Sequence, residues 1–562
     1  MLTDIVKWKN YKDLDETLKK ELDSFTEEDY YEAFYTDLAF GTGGMRGILG
    51  PGTNRMNIYT MRRANYGYGQ YILQTKKANP SVVIAYDCRH NSRLFAEESA
   101  RVLATMGIKV LLFDKITPTP ELSFAVRELK ATGGIVITAS HNPPNYNGYK
   151  IYDDFGCQLV PDLADIVIDE IAKAPDAFQI HVESFASLKQ KGYIEIVDDS
   201  IDTAYLNKVK SIRVHPDLNK ENFLVVFTPL HGTSSLLGQR LLQETGYSCI
   251  PVVEQMVADP NFSTVSSPNP ENKEAFDLAI TYAKKHHADI CIATDPDADR
   301  MGIAVNHQGN YVLLTGNQTG AILIQYLAKY RTLKKKGVLF NTIVTSPLGA
   351  AIARKYHLDV ISTLTGFKYI GEQAKLLENT EREFFFGYEE SYGYVVSDFV
   401  RDKDSLQALL LCSEVACYYK NQGKTLVDVL EEIYQEYGYY HDHLINITLT
   451  GASGAQKIEE ILNYFHNEKQ SNFQGLKIVA KEDYLLQQRF ENNQTTKLAL
   501  PKANVIKYFL DDGSWFVLRP SGTEPKMKVY ISVVTNSRHD SILRSKEIEQ
   551  KVMELINHIK GE

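Results

Sequence analysis

Between residues 82 and 387 the chain sets out one pattern three times: a short apolar run, an amphipathic stretch, and another apolar run. The first pass predicts strands at 82–86, 108–113 and 134–138, with helices at 95–106 and 121–129. The second predicts strands at 223–227, 249–253 and 289–293 around helices at 235–245 and 274–285. The third predicts strands at 338–344, 360–364 and 384–387, with helices at 320–330, 348–357 and 369–377. Strands alternating with helices build a mostly parallel sheet with helices on its faces. Past residue 440 the pattern changes to strands at 444–449, 505–510, 515–518 and 527–534, with helices at 455–465 and 542–559. The expected fold class is therefore α/β: three similar domains with mixed, mostly parallel sheets, then a C-terminal α+β domain. The expected boundaries are 1–200, 201–315, 316–440 and 441–562.

Composition narrows the function. A chain of 562 residues with 44% hydrophobic content can bury several cores. Its net charge of −10 argues against nucleic acid as the main partner. No apolar run approaches the roughly 20 residues of a membrane span, and the charged start reads as no secretory signal. Cysteines 88, 157, 249, 291, 412 and 417 lack metal-site spacing, and Cys412 and Cys417 read as core. A reducing, cytoplasmic setting is expected.

Each repeat ends in a chemically loaded loop, and ligands of open α/β sheets bind at such carboxyl-end loops. The first loop is Thr138-Ala-Ser140-His141-Asn142-Pro143-Pro144-Asn-Tyr-Asn147-Gly148-Tyr-Lys150. Its Asn, Pro and Gly residues predict a turn that excludes a continuing helix or strand. A hydroxyl on a stiff loop after a buried strand is placed to be a nucleophile or phosphate carrier.

The second loop is Thr294-Asp295-Pro296-Asp297-Ala298-Asp299-Arg300. Three carboxylates at this spacing converge only around a cation, and oxygen-only ligands select Mg²⁺ or Ca²⁺. An EF-hand is the rival. It needs Gly at the sixth position and Glu at the twelfth, where this chain has Arg300 and Asn306. The run Ile290–Ala293 also predicts a strand before the loop rather than a helix. Arg300 is placed to hold a phosphate or sugar oxygen.

The third loop is Gly387-Tyr-Glu389-Glu-Ser391-Tyr-Gly393. Glu389 and Ser391, two apart on an extended loop, would project to one side and grip neighbouring sugar hydroxyls. In the last domain, Arg519-Pro-Ser521-Gly522-Thr523-Glu-Pro-Lys526 reads as a nest for a dianionic phosphate. Phe40-Gly-Thr-Gly-Gly-Met-Arg46-Gly is no dinucleotide fingerprint, because Arg46 stands where the third Gly belongs. Gly423-Lys424-Thr425 is no P-loop, because Tyr418 replaces the upstream Gly.

Together and in this order, these motifs resemble the α-D-phosphohexomutase superfamily across nearly the whole chain. The 40–47 loop, Pro268-Asn269-Pro270-Glu271 and Thr365-Gly366-Phe367-Lys368-Tyr369 resemble its phosphoglucomutase/phosphopentomutase branch. The resemblance implies four domains around a central cleft. It implies a phosphoserine at Ser140 and Mg²⁺ held by that group with Asp295, Asp297 and Asp299. It also implies that Glu389 and Ser391 grip the sugar 3- and 4-hydroxyls, and that Arg519, Ser521, Gly522 and Thr523 hold the non-reacting phosphate. Arg46, Lys150 and Lys403 fall near the reacting groups, and Thr365 and Gly366 in the loop that reads sugar orientation. Where mannose-type members carry a histidine, this chain has Tyr392-Gly393. The implied activity is interconversion of glucose 1- and 6-phosphates through glucose 1,6-bisphosphate. The alternative within the family is pentose phosphates, or both sugars. Lys150 and His141 are the candidate bases. Sugar phosphates are the expected partners, and a monomer or homodimer the expected assembly. A serine hydrolase using Ser140 and His141 would lack Gly-x-Ser-x-Gly, and a non-catalytic sugar-phosphate sensor would have no use for the intact serine and aspartates.

Overall fold

A computed structural model of the chain describes residues 1–41, 44–449, 451–467, 472–473, 475–520 and 526–560. Two compact units emerge: residues 1–316, 331–337 and 367–425 form the first, and 317–330, 338–366 and 426–562 the second.

The first unit begins with strands β1 (Phe40–Gly41), β2 (Gly44–Ile48), β3 (Ser81–Tyr86), β4 (Lys109–Leu112), β5 (Gly133–Ile137), β6 (Tyr146–Tyr152) and β7 (Ile194–Ile196). They form one sheet in the order β1-β2-β6-β5-β3-β4-β7. Strands β5, β3, β4 and β7 run parallel, whereas β1, β2, β6 and β5 pair antiparallel. The parallel centre is apolar because helices cover both faces. Ile135, Val136 and Ile137 are fully buried there. Burying such a side chain contributes about 1.5–3 kcal/mol, so Ile135→Ala would cost about 2–5 kcal/mol.

Strands β8 (Leu224–Thr228), β9 (Ser248–Pro251), β10 (Ile290–Thr294), β11 (Met301–His307) and β12 (Asn310–Leu314) repeat the design in the order β12-β11-β10-β8-β9. Again the centre is parallel, and the chain returns antiparallel after the loaded loop.

The third repeat is shared between the units. Strands β13 (Lys336–Thr342) and β14 (Asp359–Thr363) pair in parallel. Strands β15 (Arg382–Glu389) and β16 (Gly393–Val395) form an antiparallel hairpin in the first unit. The helix Ser405–Lys420 follows. It is apolar on nearly every side and almost wholly buried, as such a helix must be. Asp404 caps it, accepting from Leu406 N (2.9 Å) and Gln407 N (3.0 Å). Cys412 and Cys417 lie in this buried helix, as their spacing predicts.

In the second unit the strand Tyr439–Thr448 pairs antiparallel with Lys526–Thr535 along its whole length. Trp515–Pro520, Ile506–Leu510 and Leu476–Asp483 extend the sheet. The helices Gly451–Asn467 and Arg538–Lys560 pack on it around Phe465, Phe516 and Ile548. The predicted α+β character holds.

One local expectation fails in the serine loop. Asn147 and Gly148 were expected in a turn, yet they lie inside β6. Gly148 is there for clearance: a Cβ would stand 2.4 Å from the Thr138 carbonyl oxygen. The turn is confined to 138–145.

Candidate active site

Ser140 sits in the β5–β6 connection, 3% exposed, with φ at +50°. L-residues adopt that left-handed conformation at a cost of roughly 1–2 kcal/mol. Thr138 Oγ1 accepts the Ser140 backbone N–H at 2.8 Å. The Ser140 hydroxyl donates to Asp295 Oδ2 at 2.7 Å, and His141 Nδ1 lies 3.2 Å from Ser140 Oγ. Arg46, opposite Gly148 in the β2–β6 register, donates from Nη1 to Asn142 Oδ1 at 2.8 Å.

The 295–300 loop joins β10 to antiparallel β11, so it is no EF-hand. Ala298 adopts φ +59° at its tip. Asp295 Oδ1 accepts from the loop's own amides, Asp299 N (3.0 Å) and Arg300 N (2.9 Å). Asp297 is pinned from outside by Thr119, whose N–H donates to the Asp297 carbonyl (2.9 Å) and whose hydroxyl donates to Oδ2 (3.1 Å). Lys150 Nζ donates to Asp297 Oδ2 (2.8 Å) and Asp299 Oδ2 (3.3 Å). Lys403 Nζ stands 3.0 Å from Asp299 Oδ2.

The three aspartates are buried, and each can bring one oxygen to within 4.8 Å of the others. The Oδ1 atoms of Asp297 and Asp299 are buried and accept no hydrogen bond from a described residue. Buried oxygens left without donors carry a desolvation cost unless a cation takes them. The triad thus fits a hard divalent cation, with the lysines occupying the opposite oxygens.

The electrostatics agree. Burial and the like charges of Asp299 and Asp297 push Asp295 well above the carboxylate range. Burial also works against the ionised form of Asp299, but Lys403, Lys150 and Arg300 outweigh it and hold the group far below that range. For Lys150, burial is outweighed by Asp297 and Asp299, so the ammonium stays charged. Burial, then Arg300 and Arg46, depress His141 well below its ordinary value, leaving a neutral imidazole.

The third loop is not extended. Glu389 ends β15 and pairs with Gly393 at the start of β16, so 390–392 form a tight turn with Tyr392 at φ +64°. Ser391 therefore lies in a turn, while Glu389 ends the strand before it. The hairpin abuts the metal loop: Met301 N donates to the Tyr392 carbonyl at 3.0 Å, and Arg300 bridges Gly393. Gly393 leaves room for Lys403, whose Cδ would stand 2.1 Å from an added Cβ. Arg300 is paired with Glu271.

The first unit thus connects Arg46, Ser140, His141, Lys150, the three aspartates, Arg300 and Lys403, with the Glu389–Ser391 turn against them. Thr365, Gly366 and Arg519 belong to the second unit. Gly366 has φ +121°, and Arg519 lies in the strand Trp515–Pro520 opposite Lys528. Ser521, Gly522 and Thr523 lie outside the described residues. Thr119, Glu271 and Arg89 were missed. Their partners are tens to hundreds of residues away, although Thr-Pro-Thr-Pro at 117–120 marks a further loop after a strand.

Sequence-family models described as "Phosphoglucomutase/phosphomannomutase, alpha/beta/alpha domain I", "II" and "III" match residues 37–177, 203–309 and 315–437, and the family's "C-terminal domain" matches 444–543. A phosphoglucomutase of Staphylococcus haemolyticus is 39% identical over 99% of each chain. The chain belongs to the phosphoglucomutase/phosphomannomutase family. Among these phosphohexomutases, a phosphoglucomutase of Staphylococcus aureus is 41% identical over 89% of this chain and 90% of its own. The fold matches the open form of the Paramecium phosphoglucomutase pp63/parafusin (TM-score 0.71, 18% identity, 94% and 96% of the two chains). Like its family, the chain is an enzyme of the mutase type, an intramolecular phosphotransferase. No described helix is long and apolar enough to cross a membrane.

Proposed function

We propose that this phosphohexomutase interconverts glucose 1-phosphate and glucose 6-phosphate through a phosphoserine at Ser140 and a glucose 1,6-bisphosphate intermediate. The observation that carries the reading is the Ser140 hydroxyl, 2.7 Å from Asp295 in a buried aspartate cluster, two of whose oxygens accept no hydrogen bond from a described residue. The curated relatives carry the phosphoglucomutase name, which favours glucose over the pentose alternative.

In the forward direction the sugar 6-hydroxyl oxygen attacks the phosphorus of phosphoserine, the bond from phosphorus to Ser140 Oγ breaks, and the hydroxyl proton ends on the departing serine oxygen. After the intermediate reorients, Ser140 Oγ attacks the 1-phosphoryl phosphorus, the bond from phosphorus to the sugar O1 breaks, and that oxygen ends as the 1-hydroxyl with the proton serine gives up. The serine proton leaves in that second step, and neutral His141, 3.2 Å away, is its proposed acceptor. Burial, then Arg300 and Arg46, depress that imidazole, and the arriving dianion offsets the two arginines. Lys150 and Lys403, held charged, act as fixed cations that stabilise phosphoryl oxygens in a loose transition state. Ser140's burial limits loss of its phosphoryl group to water. Asp295, Asp297 and Asp299 would hold Mg²⁺, which when bound neutralises phosphoryl charge.

By family resemblance, Glu389 and Ser391 take the sugar hydroxyls, Thr365 and Gly366 read orientation, and Arg519 with residues 521–523 holds the other phosphate. Domain boundaries after residues 200, 315 and 440, glucose 1,6-bisphosphate as activator and a cytoplasmic setting belong to the same reading.

The test is a coupled assay of glucose 1-phosphate with Mg²⁺ and a trace of the bisphosphate. Turnover should fall at least about 10⁴-fold in Ser140→Ala. Ribose 1-phosphate turned over faster than glucose 1-phosphate would replace glucose by pentose in this reading.

A further inference from the structure

The serine loop stands on a side chain from another strand. The carbonyls of Ser140, Asn142, Pro143 and Tyr146 all accept from one guanidinium, that of Arg89. Nη2 reaches Ser140 O at 2.6 Å and also Asn142 O. Nη1 reaches Pro143 O (2.8 Å) and Tyr146 O (3.1 Å). The Arg89 side chain has no solvent exposure. It follows β3, the strand beside β5. Asp87 Oδ2 stands 3.4 Å from its Nε, and Asp87 Oδ1 accepts the Arg89 N–H at 2.9 Å. The Phe262 ring covers the guanidinium at 5.0 Å.

We propose that Arg89 is a positioning residue for phosphoryl transfer: clamped between Asp87 and Phe262, it holds the loop so that Ser140 keeps its left-handed backbone and its Oγ faces Asp295. The assignment rests on the phosphoglucomutase reading above. A flexible loop would relax Ser140 out of its disfavoured conformation, and four anchored carbonyls prevent that. Asn142 is held by its carbonyl on Arg89 while its side chain orients Arg46, so one guanidinium sets two groups of the site. Lysine cannot substitute: it offers three donors from one point, where arginine spreads five over a rigid plane. Arg89 lies behind the loop and touches no reacting atom.

Arg89→Lys should lower kcat about 100-fold, the scale of a 1 Å misplacement, with KM for glucose 1-phosphate within about threefold because the sugar contacts come from other loops. Millimolar guanidinium should restore at least about tenfold of the loss in Arg89→Ala, and methylammonium should restore none. Hydrogen–deuterium exchange of the 138–146 peptide, which needs no substrate, should quicken in both variants while that of 295–300 holds. A kcat within threefold of wild type, unchanged exchange at 138–146, or equal rescue by the two cations would overturn the assignment. If Arg89→Ala does not fold, Asp87→Asn decides: kcat about tenfold lower at constant KM supports the clamp, and an unchanged kcat refutes it. A wild-type chain inert on glucose 1-phosphate would sink the functional reading instead, leaving the exchange comparison to judge the clamp.

Discussion

The serine loop and the aspartate loop occupy equivalent places in two successive sheets. Each leaves a strand of the parallel centre, β5 or β10, bends through a non-glycine residue with positive φ, and returns antiparallel as β6 or β11. They differ in what holds them. The aspartate loop is shaped in part by its own side chain, because Asp295 binds the amides of Asp299 and Arg300 four and five residues on, and Thr119 and Ser405 add bonds from outside. The serine loop keeps only short turn bonds of its own, and its carbonyls rest on Arg89, more than fifty residues earlier. A loop that must present several charges to one ion can encode part of its shape locally. A loop that must hold one hydroxyl in a disfavoured conformation borrows rigidity from elsewhere.

Three changes probe the aspartate half. The largest effect is expected from Asp297→Ala, which removes a carboxylate from the triad but leaves the Asp295 bonds that shape the loop. Magnesium affinity measured by calorimetry should fall more than the roughly 10–100-fold typical of outer contacts. Affinity within threefold of wild type would mean that the ion is held elsewhere.

Next is Thr119→Val, which deletes one hydroxyl from Asp297. A hydrogen bond to a charged group contributes about 1.5–3 kcal/mol, so affinity should drop at least about tenfold. No change would show that the loop's own bonds suffice.

The smallest effect concerns Asp404. Its helix reaches the loop tip, where Ser405 N donates to the Ala298 carbonyl at 3.1 Å. Burial pushes the Asp404 carboxyl up to about 6, against the pull of the Gln407 and Leu406 amides and the Tyr205 hydroxyl. The folded chain then holds this proton more tightly than the unfolded chain, whose aspartate titrates near ~4. The stability it contributes is full below about pH 4 and is lost as pH rises through about 6, at most roughly 3 kcal/mol. Relative to Asp404→Asn, the wild-type Tm should decline from pH 4 to 6 and then run parallel. Parallel curves across the whole range would refute the coupling.

The same contrast explains what could be read from sequence. The alternating strands and helices were legible because their periodicity is local and their cores are apolar. The aspartate loop was legible for the same reason, since its carboxylates sit at i, i+2 and i+4. Ser140 stood out by its motif, but Arg89, whose guanidinium holds that loop, did not, because it carries no signal until β3 and β5 lie side by side. Gly148 misled by suggesting a turn, when it answers to Thr138, a neighbour that comes close only in the folded chain; Gly393 answers in the same way to Lys403. Glu271 stood in the Pro268–Glu271 motif, but its pairing with Arg300 is seen only in the folded chain.

The first unit is interrupted in sequence, and this sets an order of assembly. Residues 367–425 supply the Glu389 turn, Lys403 and the buried helix Ser405–Lys420, yet they follow stretches that belong to the second unit. During synthesis the three aspartates emerge before Lys403, one of the two lysines that balance Asp299, exists. The nascent first unit must wait, its acidic loop incompletely neutralised and the groove for its central helix empty, until residue 425 has left the ribosome. No single cut in the backbone can therefore divide this chain into two halves that each carry one finished unit.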